Sequence, residues 1–200
     1  MIPRFLEARR SIRSFRATPI ARDRLDALVA AATTAPAPHH SRPWRFALVD
    51  SDDAKRALAD GMGTRWRADL RGDGVDEDRI RALVDASSAK LLGAPALVLA
   101  CLTDEGLDRY PDERRQRAEW GMAVLSLGAA VENLMLAAAD DGLGSCWVAA
   151  PIFCPDEARA ALALPGSWVP QALVLVGEPD PDYAPRARPP VELAVVRVER

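Results

Sequence analysis

The sequence predicts an α+β domain, and three observations carry that prediction. Helical and strand-like segments mix without the strict βαβ alternation of a doubly wound fold. Residues 95–102 form a continuous apolar run, as a strand buried on both faces requires. Residues 117–141 carry two apolar stripes at helical spacing. One comprises Trp120, Val124, Leu127, Val131, Leu134 and Ala138, the other Gly121, Leu125, Gly128 and Met135. A helix apolar on two sides is buried on two sides, either as the central core helix of a monomer or between its own sheet and a partner subunit.

The remaining elements follow in chain order. Residues 3–10 read as a short helix with Pro3 in its first turn. Residues 20–33 place Leu25, Leu28, Val29 and Ala32 on one helical face. The prolines at 36, 38 and 43 then force a loop, and Trp44–Val49 reads as a strand. Residues 51–60 suit a helix, Gly61, Gly63, Gly72 and Gly74 predict a looser stretch, and residues 76–92 return to helix. Residues 103–116 are polar and expected at the surface. Gly142 is placed to cap the long helix. Beyond it, 145–150 reads as a strand, 155–163 as a helix, 168–176 as a strand, 178–190 as an extended arm and 193–198 as a last strand.

Composition limits the function classes. With 200 residues and 49% apolar content, one domain spanning 1–200 can bury a core without staples. A formal net charge of −3 argues against a nucleic-acid binder. The longest nearly apolar stretch, 120–131, falls short of the roughly 20 residues of a membrane span. The first residues lack a signal peptide's apolar run, and three cysteines without a C-x-x-C spacing make no disulfide framework. A cytoplasmic protein is expected.

Charge is unevenly placed. Residues 1–24 hold seven arginines against Glu7 and Asp23, a local charge of +5. Nucleophile-elbow, zincin and phosphate-loop motifs do not occur. His39 and His40 are adjacent, so their side chains diverge, and no metal site is expected. Two arginine clusters flanked by turns remain, Arg9-Arg10-Ser11-Ile12-Arg13 and Arg186-x-Arg188-Pro189-Pro190. Arginine's planar fork donates paired hydrogen bonds to phosphate, so the two clusters suit convergence on one phosphate monoester.

These residues carry a resemblance. Arg-Arg-Ser-Ile-Arg-Ser-Phe at 9–15 resembles the opening motif of the FMN-dependent nitroreductase family, and Pro43-Trp44-Arg45-Phe46 resembles its second motif. Gly-Leu-Gly-Ser-Cys-Trp at 142–147 and the second arginine cluster resemble its third and fourth. The resemblance implies a nitroreductase-like fold, with a central, mostly antiparallel sheet flanked by helices, in an intertwined homodimer. It implies FMN, with Arg9, Arg10, Ser11 and Ile12 at the phosphate and ribityl region and Arg186 and Arg188 closing on the phosphate. Arg13 would approach the pyrimidine edge. Pro36, Ala37, Pro38 and His40 would come from the partner subunit, and Trp147, Val148, Ala149 and Ala150 would face the reactive edge. The hydride chemistry would belong to FMN, so no catalytic side chain is expected.

The run Ala-Pro-Ala-Pro-His-His-Ser-Arg-Pro-Trp-Arg-Phe at 35–46 is also similar to the nitroreductase-like C-terminal domain of the FbiB proteins of coenzyme F-420 biosynthesis. That likeness implies reduction of dehydro-coenzyme F-420-0 to coenzyme F-420-0. His39, His40, Arg65, Trp66, Arg67 and Asp69 would then bind an anionic deazaflavin substrate. No glutamate-ligase domain precedes the flavin motif, so glutamate ligation is not expected of this chain. The alternatives are a general NAD(P)H-dependent nitroreductase or quinone reductase, and a non-catalytic flavin- or deazaflavin-binding protein.

Overall fold

The computed structural model describes residues 3–188 and Val195. Among them, β1 (Trp44–Val49), β2 (Ala96–Leu102), β3 (Gly144–Val148) and β4 (Val169–Gly177) form one antiparallel sheet in the order β1-β2-β4-β3. Six α-helices accompany it: α1 (Arg4–Ala8), α2 (Arg22–Ala32), α3 (Asp52–Gly72), α4 (Glu77–Leu92), α5 (Glu113–Asp140) and α6 (Pro155–Ala161). The strand predicted at Trp44–Val49 is observed with those ends. The α+β class is observed too, with a sheet that is antiparallel throughout.

Strand β2 explains the layering. Alternate side chains of a strand point to opposite faces. Val98, Ala100 and Leu102 join a cluster with Leu127, Val131 and Leu134 of α5 and Leu28 of α2. Leu97, Leu99 and Cys101 join a second cluster with Leu58 and Met62 of α3, Leu91 of α4 and Ala158 of α6. All seven β2 residues are buried. The sheet is therefore sandwiched between helical layers.

Helix α5 is long and apolar enough, with a mean hydropathy of 1.7 over 18 residues, to cross a membrane by length and composition. In the fold it is instead the core helix, burying Ala123, Leu127, Ala130, Val131, Leu134 and Ala138 against the sheet and α2. It begins at Glu113 rather than 117, because the Asp112 side chain accepts the Arg115 N–H as a cap. Gly142, at φ +74°, follows its end as expected.

The looser stretch expected around Gly61–Gly74 is a correction: α3 runs unbroken through Gly61 and Gly63. These glycines admit close neighbours. A Cβ at Gly61 would meet the Glu157 carbonyl of α6 at 3.3 Å, and one at Gly63 would meet Val84 of α4 at 3.1 Å. Packing on two helices outweighs the roughly 1 kcal/mol that glycine costs a helix. The actual terminator is Gly74, at φ +76°. The segment read as a strand over 145–150 leaves the sheet after Val148 and makes a single 3₁₀ turn, Ala150–Phe153. The predicted strand at 193–198 lies, apart from Val195, outside the described residues.

Candidate functional site

Strand β3 is an edge of the sheet, and the chain's N-terminal segment covers that edge. Ser11 bridges Ser145 in parallel, and the Ile12 N–H donates to the Ser145 carbonyl at 2.9 Å. The segment then crosses to the chain after β4. Arg16 N–H donates to the Glu178 carbonyl at 2.9 Å, and Asp180 N–H to the Ser14 carbonyl at 3.1 Å. The Ser14 hydroxyl donates to Asp180 at 2.8 Å. Gly144 makes this closeness possible, because a Cβ there would lie 2.9 Å from the Ile12 side chain. Gly144→Ala is expected to cost about 1–3 kcal/mol by overpacking, read as a lower midpoint in denaturant unfolding; an unchanged midpoint would contradict the packing.

The structure brings the two arginine clusters into contact. The Arg10 guanidinium donates to the Arg186 carbonyl. The Arg188 guanidinium donates to the Leu6 carbonyl at 3.1 Å and to the Arg9 carbonyl at 2.5 Å. Arg9 pairs with Glu132 of α5 at 3.0 Å, which offsets one of the four charges. Ser11 stands at the same edge. Ile12 plays a different part from its neighbours: its amide and side chain are used to hold the segment on β3. The Arg13 pKa is raised, chiefly by a hydrogen bond to Tyr183 and further by Cys146, so its guanidinium stays charged. Beside this cluster, the residues predicted at the reactive edge end β3 and enter the following turn. Trp147 lies over Gly128 of α5, with Val148, Ala149 and Ala150 next in line.

A cavity of about 420 Å³ opens where that turn meets α3 and α4. Ala150, Phe153 and Cys154 form one side, and Met62, Trp66 and Leu91 form much of the rest. Arg65 and Asp69, both predicted for substrate, also line it, as does Asp73. Arg65 is bound to Asp69 at 3.0 Å. The charged lining is thus one paired arginine against two carboxylates. Arg67 is not part of the lining and folds beside Gly63. Burial pushes the Cys154 thiol up to about 11 and the Cys101 thiol up to about 12, so both are neutral at physiological pH and neither offers a nucleophile.

The proline loop is held elsewhere. The Trp44 indole N–H donates to the Ser126 hydroxyl at 2.9 Å, which donates to the Pro36 carbonyl at 2.6 Å. Ala37 and Pro38 lead into a single 3₁₀ turn, in which His39 and His40 adopt left-handed backbone at φ 52° and 55°. His39 lies beside Asp108 and Glu119 near the start of α5. Arg9 meets the same helix thirteen residues later, at Glu132. At 1.5 Å per residue the loop and the arginine cluster are about 20 Å apart along α5. One chain does not bring them together.

Sequence reasoning missed Met62, Asp73, Phe153, Asp108 and Glu119. Glu119 had a signal, since a carboxylate sits in register with the buried Ala123, Ser126 and Ala130.

Comparison with known proteins agrees with this architecture. The Nitroreductase family model matches residues 6–178. The chain is 33% identical over 183 residues to a 5,6-dimethylbenzimidazole synthase of Rhodospirillum rubrum, covering 88% of this chain and 80% of that protein. It is 28% identical over 199 residues to an NADH dehydrogenase of Thermus thermophilus, covering 94% and 91% respectively. A nitroreductase of Bacteroides fragilis, solved with bound FMN, shares the fold at a TM-score of 0.77 and 23% identity, covering 98% of this chain and 97% of that one.

Proposed function

The chain belongs to the nitroreductase family, and from that premise we propose an FMN-dependent oxidoreductase that reduces planar, mainly apolar acceptors with electrons from a nicotinamide. The observation that carries the acceptor class is the cavity beside Ala150. Its walls are apolar and aromatic, and its single arginine is already neutralised by Asp69. Pockets of this size, with few polar groups, suit one small ring system. The nicotinamide donor is supported by the Thermus thermophilus relative's name.

The residues present fit FMN. Arg9, Arg10, Arg186 and Arg188 lie together, the Arg10 and Arg188 guanidinium groups anchored on backbone carbonyls and Arg9 paired with Glu132, and a phosphate monoester matches their charge. When bound, FMN supplies the electron-pair chemistry. Ser11 adds a neutral donor at the phosphate. Arg13, cationic as any arginine is at physiological pH, favours the negative charge that reduction brings to the pyrimidine edge. Trp147, Val148, Ala149 and Ala150 would face the reactive edge of the flavin, and Ala150 also lines the acceptor cavity, so cofactor and acceptor would meet there.

A homodimer completes the site. Leu125 is 77% exposed, and Met122 and Val124 lie exposed beside it on α5. A Cβ at Gly121 would meet nothing within 4 Å. A second copy packed here brings its Pro36, Ala37, Pro38 and His40 to the first copy's arginine cluster. The cavity beside the cofactor site favours an enzyme over a flavin-storage protein.

The deazaflavin reading, reduction of dehydro-coenzyme F-420-0, has weaker support. Its substrate carries a carboxylate and a phosphodiester, whereas Asp69 and Asp73 face the cavity and Arg67 does not. The test is turnover by purified protein with FMN and NADH or NADPH. A naphthoquinone and a nitroarene should both be reduced. Trp66→Ala should raise KM roughly tenfold, the equivalent of about 1.4 kcal/mol of lost contact, with flavin content unchanged. Conversion of dehydro-coenzyme F-420-0, seen by mass spectrometry, without turnover of either neutral acceptor would replace this reading with the deazaflavin one. Formation of 5,6-dimethylbenzimidazole would replace it with the activity in the Rhodospirillum rubrum relative's name.

A further inference from the structure

We propose that His39, Asp108 and Glu119 bind one divalent first-row cation, in a cluster that lies away from the same chain's arginine cluster and acceptor cavity. The cluster joins the turn before β1, the loop after β2 and the first turns of α5. Its donor atoms all lie within 4.8 Å of one another.

Glu119 is the reason to look for a ligand. It is fully buried, at 0% exposure. One oxygen accepts the Asp108 N–H at 3.3 Å. The other, Oε2, has no hydrogen-bond partner among the described residues. A carboxylate taken out of water without compensation is strongly unfavourable. What faces that oxygen is the His39 ring, with Nε2 at 3.9 Å, and the same nitrogen stands 3.7 Å from Asp108 Oδ2.

These spacings decide between two accounts. Both are too long for hydrogen bonds, which need roughly 2.7–3.2 Å. Ligands sharing one tetrahedral zinc, with bonds of about 2.0–2.2 Å, sit roughly 3.3–3.5 Å from each other. The two distances from His39 Nε2 need only a few tenths of an ångström of closure, and the two carboxylates lie within 4.8 Å of each other. His39 and Asp108 are both more than half exposed and free to supply it. Two carboxylates and a neutral imidazole bring a charge of −2, which a divalent cation balances. The nearby guanidinium of Arg109 is occupied by Asp104 at 3.2 Å. A cavity of about 340 Å³, lined by Asp104, Asp108, Arg109 and Gln116, adjoins the cluster and leaves room for water on the remaining coordination positions.

The donor set selects the ion class. Imidazole with two carboxylates and no thiolate suits Zn²⁺ or Mn²⁺ rather than copper(I). The left-handed backbone of His39 and His40 is consistent with a turn held in an unfavourable conformation for a purpose. Neither FMN nor a nicotinamide supplies a donor to this cluster, so metal binding is read without turnover, although the turn that carries His39 is the one the proposed dimer brings to the partner's arginine cluster.

The test is calorimetric titration of the purified protein with Zn²⁺, with Co²⁺ difference absorption as a second readout. One Zn²⁺ per chain is expected. His39→Ala and Asp108→Asn change exposed side chains, and each should weaken binding by at least the roughly tenfold that even an outer-shell change costs. Glu119→Gln, which keeps the buried shape, should do the same. Asp53→Asn, at an exposed position on α3, should leave the affinity unchanged. Visible Co²⁺ bands should appear in the unmodified protein and vanish in His39→Ala. Absence of Zn²⁺ and Co²⁺ binding, or binding undiminished in both His39→Ala and Asp108→Asn, would overturn the proposal.

Discussion

Replacing Arg9 and Arg188 together by alanine is expected to strip the protein of flavin. Each charge-assisted contact to a phosphate is worth roughly 1.5–3 kcal/mol. The pair therefore corresponds to about two to four decades of affinity. Arg188 also donates to the Leu6 and Arg9 carbonyls, so its loss loosens the cluster as well as removing a charge. Flavin absorbance per chain after gel filtration gives the readout, with circular dichroism to show that the fold persists. Arg188 is exposed, Arg9 is partly buried against Glu132, and both lie outside the two core clusters, so folding should survive. Full flavin retention in the double variant would remove the arginine cluster from the binding site.

Leu125→Asp is expected to convert a dimer into a monomer. Leu125 is the most exposed residue on the unpartnered face of α5, and in a two-fold interface one substitution is counted twice. Burying a carboxylate in an apolar contact costs several kcal/mol. Dissociation at micromolar concentration follows, visible by light scattering. Because the partner's loop would be lost with it, flavin affinity should fall in parallel. An unmodified chain that is monomeric and still holds FMN would contradict the shared site.

The legible parts of the sequence are those in which one residue has one physical use. Gly144 must admit Ile12, so the Gly-Leu-Gly-Ser-Cys-Trp motif marks the place where the N-terminal segment meets β3. The arginine clusters were legible because the prolines and turns around them leave few other roles. The alternating contacts of β2 followed from an unbroken apolar run. The extent of α3 was not legible, because Gly61 and Gly63 serve contacts with Glu157 and Val84 that lie far along the chain. The acceptor cavity was half legible. Trp66 and the Arg65–Asp69 pair were singled out, yet their mutual neutralisation is a matter of side-chain geometry. The cluster of His39 with Asp108 and Glu119 was not seen, because adjacent histidines suggested diverging side chains and the carboxylates arrive from another loop and helix.

The proposed reaction is reduction of a neutral, mainly apolar acceptor in the cavity beside Ala150. The most direct measurement compares kcat/KM for a neutral naphthoquinone with that for the same ring carrying a sulfonate, at fixed nicotinamide and full flavin loading. With Asp69 and Asp73 facing the cavity and Arg65 already paired, the neutral compound should be preferred, and Asp73→Asn should narrow the preference. A higher kcat/KM for the sulfonated compound in the unmodified protein would contradict it and point to an anion-binding cavity.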